Sequence, residues 1–107
     1  MAWILVIVAG LLEVVMALSL KESQGFSRLW WSVSFVVFAV ASFGLLSLAL
    51  RTLPVGTGYA VWTGIGAAGT ALLGMALLGE SRDLPRLAAI ALIVSGVVLL
   101  QATSAGH

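Results

Sequence analysis

The run Gly58-Tyr59-Ala60-Val61-Trp62-Thr63-Gly64-Ile65-Gly66-Ala67-Ala68-Gly69-Thr70 contains a literal G-x-G-x-x-G, the pattern that cradles a dinucleotide in a strand–turn–helix unit. Asp83 follows at a spacing tolerable for a ribose-binding acid. The pattern has that meaning only where a strand precedes it, a helix opens at the glycines and a parallel sheet supplies a polar crevice. Here the glycines lie in the middle of an apolar segment running from about Val55 to about Leu78, roughly a turn after Trp62. Nucleotide binding is therefore set aside. In a membrane helix, Gly64, Gly66, Gly69 and Gly74 permit close helix contact, or a flexible point that lets the helix bend between two states.

Composition supports the membrane setting. Of 107 residues, 62% are hydrophobic and 8% charged, where a soluble domain carries about 25% charged. A fold this small cannot bury so much apolar surface, so lipid must be the solvent for most of it. Cysteine is absent, which excludes disulfides and thiolate metal sites, and the one histidine is His107. A net charge of +1 leaves no electrostatic footprint for nucleic acid. The N-terminal stretch lacks a basic leader and a small-residue cleavage site, so it is expected to stay as a helix.

Charges and prolines divide the chain into four apolar spans, at about 2–20, 29–50, 55–78 and 85–102, each near the roughly 20 residues a helix needs to cross a bilayer. The expected fold is an all-α membrane protein with one four-helix transmembrane domain. Short loops make neighbouring helices antiparallel. The termini and the Arg51 loop share one side, while Lys21, Arg28, Arg82 and Arg86 lie on the other. That bias favours outward termini, though with few charges to decide it, insertion in both orientations stays open.

Glu13 is the only acidic residue inside a span. A charged side chain there costs about 3 kcal/mol on insertion scales and normally faces a bundle interior or a water-filled cavity. Ala9 and Gly10 lie one turn before it, Met16 and Ala17 one turn after, so mostly small residues leave room beside the carboxylate. Two readings follow: a protonated acid serving as hydrogen-bond glue, or a site for a cation, a proton or both. An acid in an oily interior is cheaper neutral than charged unless a cation joins it. Protons and an organic cation can therefore compete for one carboxylate, which suffices for coupled exchange if the site faces one side at a time.

Ser42 stands among apolar neighbours in the second span, and Tyr59 and Trp62, spaced i, i+3, share a helix face flanked by Thr63. Their hydroxyl, phenol and π faces suit a cation and its carboxylate. Trp3, Trp30 and Trp31 flank span ends and read as an interfacial aromatic belt; Trp62 lies too far inside for that.

These residues carry a resemblance. Gly10-Leu11-Leu12-Glu13-Val14-Val15, Gly25-Phe26-Ser27-Arg28-Leu29, Leu53-Pro54-Val55-Gly56-Thr57, Tyr59-Ala60-Val61-Trp62-Thr63-Gly64-Ile65-Gly66-Ala67 and Gly79-Glu80-Ser81 make the chain similar, over nearly its whole length, to the small multidrug resistance family. The Trp-Thr-Gly-Ile-Gly-Ala run resembles its guanidinium exporter subtype. The resemblance implies an antiparallel, dual-topology homodimer in the cytoplasmic (inner) membrane of a bacterium, exchanging protons for small organic cations. By position it implies that Glu13 binds proton or substrate, with Ser42, Tyr59 and Trp62 orienting it. Gly10, Met16, Ala17 and Thr63 would line the pocket. It further implies a hinge at Gly64 and Gly66, and a dimer contact through Ala91, Leu92, Ser95, Gly96 and Leu99. Some members pair with an oppositely oriented paralogue, which the charge bias would fit.

Two positions depart from the subtype. Met16 stands where guanidinium exporters usually carry tryptophan, and Gly58 replaces the usual alanine. A soft thioether in place of an indole changes pocket size and polarity, in favour of a bulkier or substituted cation. The readings to separate are a guanidinium antiporter, a broader quaternary ammonium exporter, and a non-transporting subunit that needs a paralogue. An enzyme is not expected: the chain supplies no convincing nucleophile, metal set or acid–base pair, and calls for no cofactor.

Overall fold

In the computed structural model, which describes residues 1–104, the chain folds into four α-helices with no strand among the described residues. They are α1 (Ala2–Glu22), α2 (Leu29–Ala49), α3 (Val55–Leu77) and α4 (Leu84–Ser104). His107 lies outside the described residues. All four are long and apolar enough to cross a membrane, since about 20 residues rising 1.5 Å each span a hydrocarbon core.

Local chemistry explains where the helices stop. After α1 the buried Ser23 donates its hydroxyl to the Leu20 carbonyl at 2.7 Å and accepts the Phe26 N–H at 3.1 Å. Those bonds hold a turn in which Gln24, Gly25 and Phe26 all have positive φ, a conformation that only glycine adopts without cost. Pro54, with φ −57°, sits at the entry to α3, where its missing N–H is no loss. At the far end of α3, Gly79 turns left-handed at φ +68°. The N–H groups of Leu78 and Glu80 both return to the Gly74 carbonyl, at 3.0 and 3.2 Å. Asp83 Oδ1 then accepts the Arg86 N–H at 3.2 Å and caps the first turn of α4.

α1 lies between α2 and α3 and packs against both; α2 and α3 meet only slightly, and α4 packs against α3 alone. The result is a flat body of 45 × 34 × 16 Å. Val6, Ala9, Leu46, Ala49, Val61 and Trp62 form its main core. A smaller cluster of Ala68, Met75 and Ile90 joins α3 to α4. Large apolar side chains such as Val40, Leu92 and Leu99 point outward, as suits a surface solvated by lipid.

Helices in lipid gain little from burying apolar area against each other, so their contacts depend on close backbone approach at small residues. α3 uses its glycines this way. A Cβ at Gly69 would stand 2.6 Å from the Val14 Cγ2 of α1, and one at Gly64 would collide with Val97 of α4. The reverse pairing occurs at Gly10 of α1, where a Cβ would come within 2.7 Å of Ile65 Cγ2. Through all of these contacts α3 remains one uninterrupted helix. Gly69→Val and Gly64→Val are expected to destabilise the helix assembly by about 1–3 kcal/mol. Gly44→Ala, at a glycine with no neighbour within 4 Å, is expected to be neutral within about 0.5 kcal/mol. Reversible unfolding in mixed detergent micelles measures both.

Candidate functional site

Three helices converge on the Ser42 hydroxyl. Ser42 is fully buried on α2 and donates to the Ala9 carbonyl of α1 at 2.7 Å. The same oxygen accepts the indole Nε1–H of Trp62, from α3, at 2.9 Å. The result is a directed chain, indole to hydroxyl to backbone carbonyl. It satisfies the Trp62 donor in a dry interior, where an unpaired N–H would be expensive. It also fixes the indole plane. The Phe43 and Tyr59 rings tilt against Trp62 with centroids 5.1 and 5.3 Å away. Tyr59 remains about half exposed, at 53%.

Ala9 is one helical turn before Glu13 on α1, so its carbonyl, which within the helix also accepts the Glu13 N–H, brings this chain to the backbone of the acid. Glu13 itself is half-buried and rests on α3 at Gly66. A Cβ at Gly66 would overlap Glu13 Oε1, Cδ and Cγ together, so the bare glycine backbone is what makes room for the carboxylate. Glu13 Oε1 is buried and has no hydrogen-bond partner among the described residues. No cation stands within ion-pair distance of it either: the ion pair found among the described residues joins Arg86 to Glu80 at 2.5 Å, at the α3–α4 connection. A carboxyl oxygen so placed can carry a proton of its own or accept an N–H from a bound molecule.

The other residues picked out from the sequence fall into distinct places. Met16 and Ala17 are half-buried one turn beyond Glu13, whereas Thr63 is exposed. Gly10 is buried beneath Ile65 and lines a helix contact instead of open space. Gly64 lies against Val97 of α4. Ala91, Leu92, Ser95, Gly96 and Leu99 are all exposed on α4. Sequence reasoning missed the Ala9 carbonyl and the Phe43 ring; a backbone acceptor carries no signature in residue type. Gly66 was singled out as a bending point, not as the seat of the carboxylate.

Two open grooves flank the body, of about 280 and 270 Å³. Neither is lined by Glu13, Ser42, Tyr59 or Trp62. Ser42→Ala would strand the Trp62 N–H in the interior, while the Ala9 carbonyl keeps its helical bond from the Glu13 N–H. The expected cost is about 1–3 kcal/mol, with a changed tryptophan emission maximum as the indole loses its acceptor. Ser42→Thr keeps the hydroxyl and should retain most of both properties.

The family model described as Small Multidrug Resistance protein matches residues 1–93. The chain is 54% identical over 104 residues to a guanidinium exporter of Yersinia pseudotuberculosis, covering 97% of this chain and 100% of that one. It is 55% identical over 101 residues to a guanidinium exporter of Escherichia coli, covering 94% and 96%. A guanidinium exporter of Salmonella typhimurium is 54% identical over the same length.

Proposed function

The chain belongs to the small multidrug resistance family, and on that footing we propose that it exports small organic cations in exchange for protons, with Glu13 as the shared site. The observation that carries this reading is the buried, unpartnered Glu13 Oε1 held over the bare backbone of Gly66. A proton neutralises that acid by itself. A guanidinium-type cation neutralises it by charge and by paired N–H donors, whose planar fork suits a carboxylate. Only one of the two fits at a time, so each displaces the other, and alternating exposure to the two sides converts displacement into antiport. The names of the relatives support a guanidinium-type substrate.

Ser42 and Trp62 act in this scheme as a rigid wall one turn from the acid, and the exposed Tyr59 ring offers a π face to an approaching cation. The working unit is an antiparallel homodimer in the cytoplasmic membrane of a bacterium. The exposed α4 face through Ala91, Leu92, Ser95, Gly96 and Leu99 forms the contact, and two copies of Glu13 share one chamber. Gly64 and Gly66 are where α3 bends as the two subunits exchange conformations.

Met16 favours a second reading on substrate range. A half-buried thioether one turn from the acid adapts its shape and donates no hydrogen bond, which widens acceptance toward substituted guanidinium and quaternary ammonium ions. The cation bias toward the Lys21 and Arg86 side favours a fixed orientation and an oppositely oriented paralogue as partner.

In proteoliposomes, a guanidinium gradient is expected to drive proton movement, and Glu13→Gln to abolish it. Uphill cation uptake that persists in Glu13→Gln would end the proposal. Cation affinity should weaken as pH falls, by about tenfold per unit once the carboxyl holds its proton. Met16→Trp should shift preference toward guanidinium over tetraalkylammonium, read as the ratio of initial rates. Activity of the wild type only with a co-expressed paralogue, and a C-terminal reporter signal on one side alone, would identify the paired form.

A further inference from the structure

The groove of about 280 Å³ is lined by Val15, Leu18, Ser19 and Glu22 of α1, Trp31 of α2, and Leu77 and Leu78 at the end of α3. Its α1 residues follow i, i+3, i+4, i+7, a single helix stripe. Glu22 comes nine residues after Glu13, which at 3.6 residues per turn places it about half a turn round the helix. The groove therefore opens on the opposite side of α1 from the Glu13 face, toward lipid and away from the proposed chamber. It lies at one end of the bundle, where α1 finishes, α2 starts and α3 closes, the level of the membrane–water interface.

Its lining is hydrocarbon and indole apart from the Ser19 hydroxyl and the Glu22 carboxylate. The Ser19 hydroxyl is engaged by Ser34 at 2.7 Å. Glu22 makes no hydrogen bond or ion pair among the described residues. Two cations stand at the same end of the bundle, outside the lining itself. Lys21 is exposed beside Glu22, and Arg82 reaches back to donate to the Met75 carbonyl at 2.9 Å, just before the Leu77 wall. A free organic cation meets a rim of its own sign there, and a purely anionic head meets Glu22. A headgroup carrying both a phosphate and an ammonium suits each part, while its chain follows Val15, Leu18 and Leu77 into the bilayer.

We propose that this groove is a binding site for a phospholipid with a primary ammonium head, phosphatidylethanolamine in chemistry. The ammonium donates to Glu22 beside the Trp31 ring, and the phosphate lies toward Lys21 and Arg82. The preference for a primary over a quaternary ammonium follows from the carboxylate, which accepts N–H hydrogen bonds that a choline head cannot donate.

The full-length protein, reconstituted into phosphatidylcholine vesicles, tests this by quenching of tryptophan emission. A minor share of acyl-brominated phosphatidylethanolamine, phosphatidylcholine or phosphatidylglycerol is added in separate arms. Brominated phosphatidylethanolamine is expected to be enriched at the groove about threefold over the choline lipid, the size of one interfacial ion pair. Most of that excess should vanish in Glu22→Gln, which keeps the shape and loses the charge, measured in a Trp30→Phe background so that Trp31 reports for this end of α2. Proton-coupled exchange in Glu22→Gln should match wild type, showing that the variant is folded. Equal quenching by the ethanolamine and choline lipids overturns the proposal, as does stronger quenching by phosphatidylglycerol. An excess that survives Glu22→Gln overturns it too.

Discussion

Hydrocarbon offers no hydrogen bonds, so every polar group carried into it must find a partner within the protein or remain unsatisfied. The architecture can be followed from that constraint. Backbone groups are satisfied by four helices, and several hydroxyls are satisfied locally. Ser27, Ser32 and Thr103 turn back to carbonyls three or four residues earlier, at no tertiary cost. A few cannot or do not. The Ser42 hydroxyl leaves α2 for the Ala9 carbonyl, the Trp62 indole leaves α3 for Ser42, and Ser19 pairs with Ser34. These exchanges hold α1 to its neighbours with a specificity that apolar packing against lipid-like side chains does not supply.

Like the Arg86 Nε at the α3–α4 connection, Glu13 departs from that economy. Its Oε1 is buried with no partner, over a glycine that admits no side chain of its own. A structural acid would be expected to end on a donor, as Asp83 does on the Arg86 N–H and Glu80 does on the Arg86 guanidinium. Glu13 thus differs from the acids at the α3–α4 connection in having its buried oxygen unfilled. The Trp62–Ser42–Ala9 chain contributes by removing alternatives: with its N–H and hydroxyl already committed, neither can turn to neutralise the carboxylate without breaking a buried bond.

The glycines of α3 show how one chemical feature serves several neighbours. Gly64 receives Val97, Gly66 receives Glu13 and Gly69 receives Val14. α3 is therefore the element through which α1 and α4 are connected, because α4 touches no other helix. Any change in α3 alters both the seat of the acid and the carriage of the outward α4 face.

Several features of this protein followed from sequence alone. Runs of apolar residues long enough to span a bilayer mark the helices, and a lone acid inside one of them stands out because its transfer cost depends on residue type and depth only. Motif resemblance pointed to the family for the same reason: identity and spacing are local. Tertiary structure decided the rest. That Gly66 seats the carboxylate, that Ser42 stands between Ala9 and Trp62, and that Gly10 is filled by Ile65 are contacts between residues 20 to 55 apart in the chain. In helices that are apolar on every side, periodicity does not say which face meets which neighbour. Only the packing of backbones at their closest approach settles it.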